Sequence, residues 1–195
     1  MWFNYYRYCD LTFEAIDGRW RWYEQPVSPW GFFDGARSPQ VTEPDSFYSW
    51  YGNMFDGARS QTSPLEMWLD SATTGVDSPM VRIGVHINPT DSVVDEMESL
   101  MLVGVVFEDS IPYVSQLHQG DTVYTRLVVR EIIADTWGVP ISVEFPVEFS
   151  TTLGATLGEW RTDMLGVAAF VQDTATKKVL QSVVQYRLMT ADGRR

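Results

Sequence analysis

From Pro64 onward the chain is a series of short apolar runs with a period of two, and that pattern constrains its fold more than any other feature. Leu65, Met67 and Leu69 alternate with polar or exposed neighbours, and so do Val81, Ile83, Val85 and Ile87. This is the spacing of strands with one face on a core. Leu100 to Phe107 is more continuously apolar, as expected of a central strand. Tyr124 to Ile133, Ile141 to Phe149, Leu165 to Gln172 and Val179 to Leu188 supply four more runs. Turn residues separate them at Thr74-Gly75, Asn88-Pro89-Thr90-Asp91, Gly120-Asp121, Trp137-Gly138-Val139-Pro140 and Asp173 to Thr176. Seven strands so punctuated predict an antiparallel β-sandwich over residues 63–195.

The first 62 residues are of a different make. Seventeen of the 27 aromatic residues fall in the first 55 positions. Trp2 to Tyr8 predicts a strand, Leu11 to Glu24 a helix, and Trp30-Gly31-Phe32-Phe33 before Asp34-Gly35 a strand running into a turn. Pro44-Asp45-Ser46 opens a helix over Phe47 to Asp56, with Ser46 or Asp45 as N-cap and Phe47, Trp50, Tyr51 and Met54 on one face. The order strand, helix, strand, helix makes residues 1–62 an α/β layer and the whole chain α+β. Within this region Phe33-Asp34-Gly35-Ala36-Arg37-Ser38 recurs as Phe55-Asp56-Gly57-Ala58-Arg59-Ser60. Two copies with dissimilar flanks do not make a solenoid, and the repeat reads as two Asp-Gly turns, with a paired binding site as the alternative.

Composition excludes several classes of function. Cys9 is the single cysteine, so no intramolecular disulfide can form, and with only His86 and His118 beside it the usual zinc constellations are absent. A formal charge of −12 repels phosphate backbones, which argues against nucleic acid as a partner. No run approaches the roughly 18 to 20 apolar residues of a membrane span. The start, Met1 to Arg7, lacks the basic, apolar and small-residue segments of a secretory signal, so the sequence as written reads as cytoplasmic.

The strand string also carries a resemblance. Val105-Val106-Phe107-Glu108-Asp109-Ser110-Ile111-Pro112-Tyr113, Val129-Arg130, Trp137-Gly138, Ala169-Phe170-Val171-Gln172-Asp173 and Lys178-Val179-Leu180-Gln181 together resemble the C-terminal domain of the 28-kilodalton outer-membrane-protein family. That family places a thioredoxin-like domain ahead of an immunoglobulin-like sandwich, and many members are exported or lipid-anchored. The resemblance implies that residues 63–195 are the immunoglobulin-like sandwich and residues 1–62 a truncated thioredoxin-like half-domain. It implies a periplasmic or cell-envelope location, with membrane association only through a partner. In it Phe3 to Tyr6 would follow the redox helix, and Pro29 is the candidate cis-proline. Thioredoxin chemistry needs a Cys-x-x-Cys pair at a helix N-terminus, and this sequence has none.

Among single residues, Cys9 sits beside Asp10, whose charge disfavours a thiolate. His118 lies in a predicted loop without a nucleophile at a recognisable spacing, and His86 alternates out of phase with Val85 and Ile87, so it is expected to point outward. The acidic run Asp91, Asp95, Glu96 and Glu98 lacks the spacing of a calcium loop. No catalytic, cofactor-binding or metal-ligating set emerges. The aromatic density near Arg19 and Arg21 is the least ordinary feature, since aromatics and arginine are enriched at interface hot spots. Trp20, Trp22, Tyr23, Trp30 and Phe32 are the expected contact surface for a protein partner or a second copy. The expected function is a non-catalytic accessory subunit. The alternatives are a truncated thiol-disulfide oxidoreductase and a ligand-binding module built on the N-terminal aromatics.

Overall fold

A computed structural model of the chain describes residues 18–19, 21–22, 32–33, 36–37, 44–74, 80–114 and 122–190. Gly18, Arg19, Arg21 and Trp22 are helical, inside the helix expected over Leu11 to Glu24. Strands β1 (Phe32–Phe33) and β2 (Ala36–Arg37) pair antiparallel, with Phe33 opposite Ala36. Helix α1 runs over Pro44–Arg59, earlier and later than expected. Pro44 fits in the first turn because its missing N–H would have no intrahelical acceptor there. The two copies of Phe-Asp-Gly-Ala-Arg-Ser differ where they are described: Phe33 and Ala36-Arg37 of the first lie in the paired strands β1 and β2, while the second closes α1, where the Ser60 hydroxyl donates to the Gly57 carbonyl at 2.8 Å. The reading of both as turns is corrected by α1.

The remaining strands are β3 (Leu65–Thr74), β4 (Met80–Pro89), β5 (Leu100–Glu108), β6 (Ile111–Val114), β7 (Thr122–Thr125), β8 (Val128–Ile133), β9 (Val139–Pro140), β10 (Phe149–Thr156), β11 (Leu165–Asp173), β12 (Val179–Gln185) and β13 (Met189–Thr190). One sheet has the order β10-β4-β3-β13 and the other β12-β11-β5-β8, with β9 also on β5. Pairing is antiparallel except for β13 on β3, and β6–β7 form a separate hairpin. The described structure is thus mostly antiparallel sheet with one long helix.

Leu65, Val81, Ile83, Val85 and Ile87 of the first sheet pack with Leu100, Leu102, Val106, Leu165, Val167, Ala169 and Val171 of the second to form the core. The second sheet is buried on its other face as well. Val103, Val105, Phe107, Val129, Ile132, Ala168 and Phe170 form their own apolar cluster, none more than 7% exposed. This explains why Leu100 to Phe107 lacks alternation. Phe107 lies across Gly166, where a Cβ would sit 2.3 Å from the ring, so only glycine admits this packing.

Three sequence expectations are corrected. Ile141 to Phe149 is not a strand but a connection with an isolated Glu144–Val147 bridge. Pro146, joined to Phe145 by a cis peptide, lacks a ladder donor, and the strand begins at Phe149 instead. Tyr124 to Ile133 splits at Leu127, whose φ is +51°, so its halves join different sheets. Val179 to Leu188 ends as a strand at Gln185, although Leu188 still reaches the core.

Candidate functional site

Polar and aromatic side chains form a seam between the N-terminal helical residues and the outer face of the second sheet. β11 is almost wholly apolar, so Gln172 arrives at its end buried, at 1% exposure, and its amide must be satisfied inside the protein. It donates from Nε2 to the Lys177 carbonyl at 2.7 Å and accepts from the Arg19 guanidinium at 2.6 Å. Arg19 is 3% exposed and also donates to the Thr136 carbonyl at 2.9 Å. Its guanidinium lies 5.4 Å from both the Trp22 and Phe170 ring centroids. Trp22 meets Trp137 edge-on at 5.3 Å, and Lys177 Nζ donates to the Trp22 carbonyl at 2.8 Å.

The turns on the sandwich side of the seam are held by carboxylates. Asp135 accepts from the Trp137 and Gly138 N–H groups. Gly138 has φ +87° and lies against the Leu102 carbonyl, where a Cβ would be only 2.4 Å away. That turn therefore requires glycine. Asp173 accepts from Ser99, Thr176 and the Ala175 N–H. Partial burial raises the Asp173 pKa, but these hydrogen bonds outweigh it and leave the carboxyl below its ordinary value.

A second cluster grows from Glu108-Asp109 at the end of β5. Glu108 is 3% exposed; Arg130 holds one oxygen and Arg161 the other, each with an Nε–H donor at 2.9 Å. Asp109 takes a two-pronged bond from Arg126 at 2.6 and 2.8 Å. The Arg126 side chain is the leading cause of the lowered Asp109 pKa. Arg161 additionally donates to the carbonyls of Asp109 and Ser110. Removing Arg130 takes a partner from the buried Glu108 and costs up to about 3 kcal/mol, whereas the Arg126–Asp109 pair is exposed and contributes far less. The two carboxylates are engaged as structural acceptors. Sequence reading caught Glu108 and Asp109 within a motif but not Arg126 or Arg161. Their separation along the chain offers no local signal.

On the outer face of the first sheet, Trp68 stacks on His86 at 5.2 Å with rings 5° from parallel, and His86 Nδ1 lies 2.8 Å from Glu148. His86 does point outward, half-buried. Asp91 accepts from the Val93 N–H and Asp95 from the Phe145 N–H, so two members of the acidic run serve as backbone acceptors. Of the expected contact residues, Trp22 lies in the seam, half-buried, and Phe32 lies in β1. Trp20, Tyr23, Trp30, the candidate cis-proline Pro29, Cys9 and His118 fall outside the described residues. The seam residues Arg19, Gln172 and Lys177 were not singled out as a site. Gln172 within an apolar run was the available signal. Among the described residues no group of three or more His, Cys, Asp or Glu side chains is placed to hold a metal ion, and no helix is long and apolar enough to cross a membrane.

No family model matches the sequence, and no curated protein matches it. Among solved structures the chain is similar to a domain of the outer membrane lipoprotein Omp28 from Porphyromonas gingivalis, with a TM-score of 0.43 and 13% identity over 67% of this chain and 92% of that one. It is similar to HBP35 of the same organism with a TM-score of 0.71 and 14% identity. That likeness covers 92% of this chain but 61% of HBP35. The chain thus shares the fold of about three-fifths of HBP35.

Proposed function

We propose that this protein is a non-catalytic accessory or structural subunit that makes protein contacts in a cell-envelope assembly. In this reading a truncated thioredoxin-like layer, residues 1–62, is followed by an immunoglobulin-like sandwich, residues 63–195. The observation that carries it is the way the charged side chains are used. Both oxygens of Glu108 and both of Asp109 are held by arginines that the fold delivers to them, an arrangement suited to rigidity rather than to proton transfer. The fold likeness to HBP35 supports the two-part architecture. The envelope location rests on the resemblance carried by the Glu108-to-Pro112 and Ala169-to-Asp173 blocks. Trp22 anchors the N-terminal segment to the sandwich, and Trp20, Tyr23, Trp30 and Phe32 supply the contact surface.

An insulin-reduction assay on the purified protein, paired with a native pull-down from an envelope fraction, tests this function. The expected result is background turnover and a co-purifying envelope protein whose retention falls when Trp30 is replaced by alanine. Turnover abolished by Cys9→Ser, or fractionation only with cytosolic markers, would sink the proposal.

A further inference from the structure

The outer face of the first sheet presents an indole to solvent, and the fold braces it there. Leu65, Val85 and Ile87 turn inward to the core, so Glu66, Trp68, His86 and Asn88, which alternate with them, face outward. Trp68 lies opposite His86 in the β3–β4 register, and the two rings stack 5.2 Å apart, 5° from parallel. Glu148 holds the imidazole from its other side through Nδ1 at 2.8 Å. One face of the indole is thereby supported. The other looks away from β4, where the sheet continues only as β13, which pairs with β3 at Thr73 and Thr74 alone. Trp68 is 40% exposed as a result. Glu66 and Asp70, two residues to either side on β3, are exposed too. The sheet contains a single basic residue, Arg82, four positions along β4 from His86. Among the described residues no cationic side chain lies over the Trp68 ring.

We infer that Trp68, flanked by Glu66 and Asp70, receives an arginine side chain of a partner protein. The occupant follows from the chemistry of the flanks. Asn88 donates to Glu66 at 3.3 Å, and His86 Nδ1 is engaged by Glu148. What borders the open indole face is therefore mainly carboxylate oxygen. An electron-rich ring bordered by anionic acceptors attracts a cation. Arginine suits it better than lysine, because a planar guanidinium stacks on an indole while its edge forks to a carboxylate. The chain builds this combination once within itself: Arg19 lies 5.4 Å from the Trp22 centroid while donating to the Gln172 and Thr136 oxygens. A net charge of −12 adds long-range steering of a basic partner toward the chain. This contact is separate from the one proposed for the N-terminal aromatics and stands without it.

Titrating the full chain with a short capped peptide carrying two arginines, followed by NMR of the indole N–H signals, tests it. The Trp68 signal, identified by its loss in Trp68→Phe, is expected to shift saturably. The same peptide with citrulline in place of arginine keeps the shape and loses the charge, and is expected to bind about tenfold more weakly or less. Trp68→Ala changes no charge and is expected to weaken binding of the arginine peptide about as much, with the thermal midpoint little moved. A chain with both Glu66→Gln and Asp70→Asn keeps the indole and is expected to lose affinity several-fold. A wild type with no saturable shift at Trp68 overturns the inference. So does an affinity unchanged in Trp68→Ala or in the double carboxylate variant, which would mark only a general attraction between a basic peptide and an acidic protein. Equal binding of the citrulline peptide overturns it too and makes the ring a platform for neutral ligands.

Discussion

At the scale of single residues, the sandwich is fixed at its ends by carboxylates whose ionised form the fold prefers. Asp109 shows this most directly, because the Arg126 fork lowers its pKa below the ordinary value. A depressed carboxylate contributes stability that is fully present above its unfolded pKa, about 3.9 for aspartate, and is lost as pH falls through the folded value. Asp109→Asn should therefore be less stable than the wild type at neutral pH, and the gap should close as the pH drops below about 4. The effect at neutral pH is small, since Arg126 is mostly exposed and its pairing is screened by solvent. Urea unfolding of both proteins at several pH values checks this. A gap that stays constant down to the acid limit would show that the fork has no linkage to folding. Glu108 was legible in the sequence as part of a motif, whereas its clamps lie 22 and 53 residues away. Only the folded chain brings them to it.

At the scale of elements, the N-terminal helical segment and the second sheet are joined by a seam whose two halves make little sense apart. Arg19 needs the Gln172 and Thr136 oxygens, and Gln172 needs a donor at the end of an apolar strand. The edge-on Trp22–Trp137 pair adds an aromatic contact of about 1 kcal/mol beyond burial. Trp22→Ala and Trp137→Ala are expected each to lower stability, and the double variant to lose about 1 kcal/mol less than their sum. Thermal or denaturant melts of the four proteins measure that coupling; strict additivity would mean that the rings do not interact. The Leu100 to Phe107 run announced a central strand in the sequence. The partner of its outer face was not announced, because a helix covering a sheet leaves only an apolar stripe among many aromatics.

At the scale of the whole molecule, the second sheet is covered twice, by the first sheet on one side and on the other by a layer that includes Arg19 and Trp22. Fully burying each large apolar side chain on that outer face contributes roughly 1.5 to 3 kcal/mol. Removing residues 1–62 should thus do more than shorten the chain. The product is expected to have a lower thermal midpoint and to bind a hydrophobic dye through uncovered Val103, Val105, Phe107, Ile132 and Phe170. A fragment of residues 63–195 that melts with the full chain and binds no dye would make the N-terminal layer a separate domain without a covering role.

The sequence by itself determined the strands of β3, β4, β5 and β11, the turns at Trp137-Gly138 and Asp173 to Thr176, and the change of character near residue 63. Each of these is written in local periodicity or in backbone requirements that a few neighbouring residues express. Tertiary structure alone decided that Phe33 and Ala36-Arg37 of one hexapeptide lie in paired strands while the identical second copy ends a helix, since a six-residue preference is weaker than the packing around it. It also decided that Ile141 to Phe149 would connect rather than pair and that Glu108 would be clamped by Arg130 of β8 and by Arg161 from the segment between β10 and β11. It likewise placed β10 at one edge of its sheet. Strand order, long-range ion pairs and the cover of a second sheet face depend on contacts between residues far apart in the chain, and no local pattern encodes them.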